Sequence, residues 1–176
     1  MSYITTVSGR HFDPAKPDKA LIDIFDIAHS LSLLCRANGH FRSFYSVAQH
    51  SIACALEAEA RGETREVILG CLLHDASEAY LSDVTRPVKA LLPRYIEIES
   101  KLQDAVWEKF IGRPLTDEEK HRVFEIDDLM LSYEFHMLMS EELGSEYRLL
   151  KTAPDCAPRD PGAAKSEFIS LFRKFA

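Results

Sequence analysis

The chain has 176 residues, 46% of them apolar, which is enough to bury one sizeable core without staples and predicts a single domain over 1–176. A formal charge of −7 argues against a general nucleic-acid binder, which needs clustered lysine and arginine to displace counterions from phosphates; a small phosphorylated substrate stays open, because a metal and local arginines can reverse the sign inside one pocket. The sequence has neither an apolar run of membrane-spanning length nor a basic-then-apolar leader, so it reads as cytoplasmic, with no membrane partner.

Residues 1–20 are rich in turn formers and predict an irregular lead-in. A first helix follows, with Ile24, Ile27, Ala28, Leu31, Leu34 and Cys35 on one face and Asn38-Gly39 as its stop. Ser46 caps a second helix whose stripe of Val47, His50, Cys54, Ala55 and Ala58 runs to Gly62. Thr64 caps a third, whose inward stripe reads Val67, Cys71, His74, Asp75 and Glu78. Ser82 to Pro87 predicts a loop, since proline disfavours helix at the residue before it.

After Pro93 a fourth helix places Tyr95, Ile98, Leu102, Ala105, Val106 and Phe110 on one face and ends at Gly112. Thr116 and Glu119 have the capping-box form and open a long helix to about Met139, with Val123, Ile126, Met130, Met137 and Leu138 inward. The stretch from Glu141 to Arg159 has no clear period. Asp160-Pro161 opens a last helix over 160–175 that buries Phe168, Leu171, Phe172 and Phe175. With no strand alternation of useful length, the fold class is all-α, a compact bundle of six to eight helices. The cysteines, Cys35, Cys54, Cys71 and Cys156, form no CxxC pair and read as reduced thiols, three of them inside predicted helices.

Three inward stripes carry metal-capable residues: His50, then His74 with Asp75, then Asp127 or Asp128. A buried histidine beside a buried carboxylate costs several kcal/mol unless something pairs with both, and a divalent cation does so compactly. Two imidazoles and two carboxylates suit Mn, Fe, Co, Ni or Zn, where an all-oxygen set would favour Mg or Ca. Periodicity leaves Asp127 and Asp128 both open: the first shares a stripe with Val123 and Met130, the second with Phe124, Leu131 and Phe135. Glu78 follows Asp75 by three and His74 by four, so all three are expected to project from one helical face.

In order, Val47-Ala48-Gln49-His50-Ser51, Leu73-His74-Asp75-Ala76-Ser77-Glu78, Asp83-Val84-Thr85-Arg86-Pro87-Val88-Lys89 and Glu125-Ile126-Asp127-Asp128 resemble the HD superfamily of helical metal-dependent phosphohydrolases. The branch most similar is that of bacterial 5′-deoxynucleotidases and small phage deoxynucleoside triphosphate hydrolases; the motifs span about 24 to 139. The resemblance implies one divalent transition metal on His50, His74, Asp75 and Asp127, the last preferred to Asp128 because the family's final Asp follows a short apolar or small residue, here Ile126. It also implies a catalytic glutamate at Glu78 and a second acid at Asp83 that activates water or protonates the leaving alkoxide.

Similar nucleotidases carry a phosphate-binding arginine near Arg36, and Arg86 and Lys89 are further phosphate candidates. Where some of them read the sugar with a tryptophan, this chain has Ala37. The loop bearing His40, Phe41 and Tyr45 is expected either to line the pocket or to pin itself to the core. The implied activity is release of phosphate from a (deoxy)nucleoside monophosphate by attack of a metal-acidified water. A deoxynucleoside triphosphate triphosphohydrolase is the alternative, and a nucleotide-binding sensor with a structural metal is the alternative of another class. The resemblance implies a homodimer or higher homo-oligomer.

Overall fold

The computed structural model describes residues 3–176. Its elements are a short hairpin, β1 (Ile4–Thr5) and β2 (His11–Phe12), and the helices α1 (Ile24–Leu33), α2 (Val47–Arg61), α3 (Arg65–Leu73), α4 (Glu78–Leu81), α5 (Arg86–Lys89), α6 (Pro93–Ile111), α7 (Asp117–Met139) and α8 (Pro161–Phe175). The fold is all-α apart from that hairpin. No helix among the described residues is long and apolar enough to cross a membrane.

Local chemistry explains most helix starts. The Ser46 hydroxyl accepts from the Gln49 amide while the Gln49 side chain returns to the Ser46 backbone, and Thr116 and Glu119 do the same for α7. Thr64 and Asp160 cap α3 and α8 through single side-chain acceptors. Gly62 and Gly112 close α2 and α6 at φ 77° and 92°, a left-handed geometry that is cheap for glycine.

The lead-in is not wholly irregular. Thr5 pairs with His11 and Ile4 with Phe12 in the antiparallel hairpin, and fully buried Phe12 packs on Tyr80 with ring centroids 4.3 Å apart. The first helix stops earlier than its stripe predicts. At Leu34 the chain turns extended, Cys35 is exposed and bridges Ser46, and the Arg36 amide donates to the Tyr45 carbonyl at 3.0 Å. Pairing with residues 45 and 46 gives these donors partners that another helical turn would have supplied, and it turns Arg36 inward.

The third predicted helix is also interrupted. α3 ends at Leu73, residues 74–77 form tight turns, and a new single-turn helix begins at Glu78. Gln103 of α6 causes the break: its amide NH₂ donates to the Leu73 carbonyl at 2.7 Å and its oxygen accepts from the Ser77 amide at 3.1 Å. Those two backbone groups would bond each other in an unbroken helix, so the inserted side chain replaces the rung. Glu78 therefore does not continue the His74–Asp75 face as a regular helix would place it. The predicted loop after Ser82 contains the single turn α5, with Pro87 near its start.

One apolar cluster joins the elements: Ile27, Ala28 and Leu31 of α1, Val47 and Ala58 of α2, Leu72 of α3, Leu102 and Val106 of α6, Val123, Ile126 and Met130 of α7, and Phe168 of α8. Each fully buried large side chain contributes about 1.5–3 kcal/mol. Met137, expected inward, lies on the outer side of α7 and is half exposed, whereas Leu138 is buried. Gly70 sets the approach of α3 to α7, because a Cβ there would stand 2.8 Å from Val123 Cγ2 and 3.0 Å from Leu115 Cδ1. That approach carries His74 toward Asp127.

Candidate metal centre

His50, in the first turn of α2, and His74, just past α3, are both buried, and their Nε2 atoms lie 3.1 Å apart. Each ring's other nitrogen is committed. His74 Nδ1 stands 2.7 Å from the Cys71 carbonyl oxygen, and a carbonyl can only accept, so this nitrogen carries the hydrogen. His50 Nδ1 stands 2.7 Å from Glu134 Oε1 and donates to that carboxylate. In neutral rings both Nε2 atoms then present lone pairs to one another, which repel unless a proton or a metal cation lies between them.

Two carboxylates complete the cluster. Asp127 Oδ1 is 3.0 Å from His50 Nε2 and 3.6 Å from His74 Nε2; Asp75 Oδ2 is 3.3 Å from His74 Nε2 and 3.8 Å from His50 Nε2. Donors bonded at roughly 2.0–2.2 Å to one cation sit roughly 2.9–3.6 Å from their neighbours in the ligand shell; the Asp127 contacts to both imidazoles and the Asp75 contact to His74 fall in that range, and the Asp75–His50 separation of 3.8 Å lies just beyond it. Asp128 is largely exposed, and its Oδ1 pairs at 2.6 Å with the same Arg86 Nη2 that reaches Asp127 Oδ2 at 2.9 Å, rather than with either imidazole.

The electrostatics point the same way. Burial and Arg36 oppose charge on His50, yet Glu134 and Asp127 outweigh them and its pKa is raised. For His74 burial is outweighed by Asp75 and Asp127, and its pKa stands well above the ordinary imidazole value. Asp75 and Asp127, although burial alone would raise them, are pulled below the carboxylate range by the two histidines. The site attracts positive charge to the point between its rings.

Arg36 is buried, with Nη1 3.2 Å from Asp75 Oδ2 and Nε 3.1 Å from Glu134 Oε2. It links the carboxylate beside His74 to the one that holds His50. Sequence reasoning missed Glu134, which is fully buried; the available signal was its place seven residues after Asp127, two turns along the same side of α7. Cys54, read as core, is fully buried as expected, and its Sγ also lies 3.6 Å from His50 Nε2. His50, Cys54 and His74 have ligand atoms all within 4.8 Å of one another, a group able to hold a metal ion.

The centre opens into a cleft of about 980 Å³ between the α4–α5 segment, α6 and α7. Glu78, Asp83, Arg86 and Lys89 line it, as do His40 and Phe41, while Phe124, Leu131 and Phe135 form an apolar wall. Tyr45 is not in the lining: it is buried edge-on to Phe41 and pins the loop. Glu78 is buried with Oε2 unpartnered, and burial, then Asp75 and Asp83, push its pKa well up. Burial also raises Asp83, against the pull of Arg36. Arg86 Nη2 reaches Asp127 Oδ2 at 2.9 Å, and Lys89 Nζ is held by Glu99 at 2.7 Å.

No family model matches the chain. It is 37% identical over 177 residues to the uncharacterized protein YfdR of Escherichia coli, an alignment covering 98% of this chain and 94% of that protein. It is also 40% identical over 109 residues to an uncharacterized protein of Rhodobacter capsulatus, covering 59% of this chain and 56% of the relative. The near full-length match places the chain in the YfdR family.

Proposed function

We propose that this protein is a metal-dependent phosphohydrolase of the HD superfamily that releases phosphate from (deoxy)nucleoside 5′-monophosphates. The observation that carries the reading is the facing pair of buried Nε2 atoms, 3.1 Å apart, each with its Nδ1 already hydrogen-bonded. A divalent transition metal held by His50, His74, Asp75 and Asp127 would supply a Lewis acid and acidify a water at neutral pH.

The remaining residues have separate tasks. Glu134 fixes the His50 ring, and Arg36 balances two of the buried carboxylates. Glu78 and Asp83 carry the proton traffic, one accepting from the attacking water and the other returning a proton to the leaving alkoxide; burial and neighbouring carboxylates raise Glu78 more than Asp83, which favours Glu78 as the donor. Arg86 and Lys89, paired with Asp127 and Glu99 in the free protein, exchange those partners for the equatorial phosphate oxygens when substrate binds. The wall of Phe124, Leu131 and Phe135 receives the nucleoside, by stacking or apolar contact.

Charge favours a monophosphate. Six carboxylates line the cleft, Asp75, Glu78, Asp83, Glu99, Asp104 and Asp127, against four cationic side chains, Arg36, Arg86, Lys89 and Lys120. All four cations are already ion-paired. One divalent cation roughly balances this set, leaving little positive charge for the two extra phosphates of a triphosphate.

The test is a nucleotide panel of mono-, di- and triphosphates, ribo and deoxy, with added Mn, Co or Ni, following phosphate and triphosphate release and the metal content of the purified protein. Phosphate from monophosphates, abolished in His74→Ala, is the expected result. Triphosphate release would move the assignment to a triphosphohydrolase, and tight nucleotide binding without turnover to a sensor. Absence of turnover with any phosphoester, and of bound metal, would overturn the reading.

A further inference from the structure

We propose that the Cys54 thiolate is an additional ligand of this centre, and that the centre therefore selects zinc, cobalt or ferrous iron over manganese and magnesium. The inference rests on the metal reading above. His50 and Cys54 stand four residues apart on α2, the spacing at which two side chains on one helical face can chelate a single ion. Cys54 Sγ is 3.6 Å from His50 Nε2, and Cys54, His50 and His74 lie as one buried group with ligand atoms within 4.8 Å. For bonds of about 2.3 Å to sulfur and 2.0 Å to nitrogen, the angles of a five-coordinate shell separate the two donors by roughly 3.0–3.7 Å, so the sulfur sits at ligand-shell distance from the imidazole.

The neighbouring Cys71 provides the contrast. It is equally buried, but it serves His74 through its backbone carbonyl at 2.7 Å, and its sulfur is not part of the group. A soft donor in a set otherwise made of imidazole and carboxylate shifts preference toward zinc, cobalt and iron and away from the hard oxygen-seeking cations. On binding, the S–H bond of Cys54 breaks, the sulfur lone pair goes to the metal and the proton is released to solvent.

The experiment titrates the chelator-stripped full-length protein with cobalt(II). Wild type is expected to show visible ligand-field bands together with a near-ultraviolet sulfur-to-cobalt charge-transfer band. Cys54→Ser should lose the second while keeping the first, Cys71→Ser should keep both, and the preference for zinc over manganese should fall about tenfold in Cys54→Ser. Ligand-field bands without a charge-transfer band in wild type, or a charge-transfer band that survives in Cys54→Ser, would overturn the proposal and leave the metal reading standing. Neither band at saturating cobalt would overturn both. The wild-type spectrum needs no variant to fold, and Cys54→Ala gives a second one.

Discussion

Glu134 Oε1 lies 2.7 Å from His50 Nδ1, with both residues fully buried, and its second oxygen accepts from Arg36 at 3.1 Å. A carboxylate on the far nitrogen of a ligating histidine fixes the tautomer and raises the basicity of the nitrogen that faces the metal, and losing such a partner typically weakens metal affinity about 10–100-fold. Glu134→Gln keeps the shape and one acceptor oxygen but removes the charge. Its zinc affinity, measured by competition with a chromophoric chelator, is expected to fall within that range while the helical circular dichroism is unchanged. An unaltered affinity would mean that Glu134 supports the fold rather than the metal.

The inserted Gln103 amide gives a second prediction. It satisfies the Leu73 carbonyl and the Ser77 amide across the break that positions His74, Asp75 and Glu78. In Gln103→Leu the Ser77 amide loses its partner in the interior, at a cost of about 1–3 kcal/mol if it stays unpaired, while the Leu73 carbonyl keeps only the Ala76 amide at 3.0 Å. Should the two groups re-form the helical rung, most stability returns but the turn that sets His74 changes. Urea unfolding and metal titration on the same samples separate the cases: a loss of stability, of metal affinity or of both is expected, and retention of both would contradict this role for Gln103.

Those two residues also mark where the sequence stops being readable. The caps at Ser46, Thr64, Thr116 and Asp160 depend on groups within three residues, so the linear pattern contains everything needed to place them. The inward phase of His50 and His74 is legible in the helical stripes, but periodicity leaves Asp127 and Asp128 both open and only the resemblance favours Asp127. Gln103 breaks a helix that lies far from it in the chain, and no local rule reveals that. Leu34 and Cys35 continue an apolar stripe but leave the helix because Tyr45 and Ser46 offer a competing backbone. Glu134 looked like an ordinary charge on a long helix; only the tertiary packing that brings Arg36 and His50 against it shows why it is buried.

The close approach at Gly70 can be tested by overfilling it. A methyl group in Gly70→Ala would meet Val123 Cγ2 at 2.8 Å and Leu115 Cδ1 at 3.0 Å, and overpacking of this kind costs about 1–3 kcal/mol. The gain in helix propensity offsets at most about 1 kcal/mol of that. Removing the obstructing methyls in a Gly70→Ala, Val123→Ala double variant should recover part of the loss. The two effects are therefore expected to be non-additive in a double-mutant cycle from urea denaturation; strict additivity would show that the contact does not limit how α3 meets α7.

Glu57 makes stability depend on pH at a point away from the metal centre. It is fully buried on α2 and accepts from the Lys151 amide at 2.9 Å, the Thr152 amide at 2.8 Å, the Thr152 hydroxyl at 2.6 Å and Arg61 Nε at 2.7 Å. Burial alone would raise its pKa, but these donors, the Thr152 hydroxyl foremost, outweigh it and the value is lowered. A carboxylate with a depressed folded pKa stabilises the native state fully above its unfolded value, near 4.3, and that contribution disappears as pH falls through the folded value. Glu57→Gln turns an NH₂ toward donors that need an acceptor, so at neutral pH it should cost about 2–3 kcal/mol and free the segment around Lys151 and Thr152. The difference between wild type and variant, followed by urea unfolding from pH 7 downward, should shrink below about pH 4, and amide exchange at Lys151 and Thr152 should rise in parallel. A gap that stays constant with pH would show that packing around Glu57, rather than its charge, ties this segment to α2.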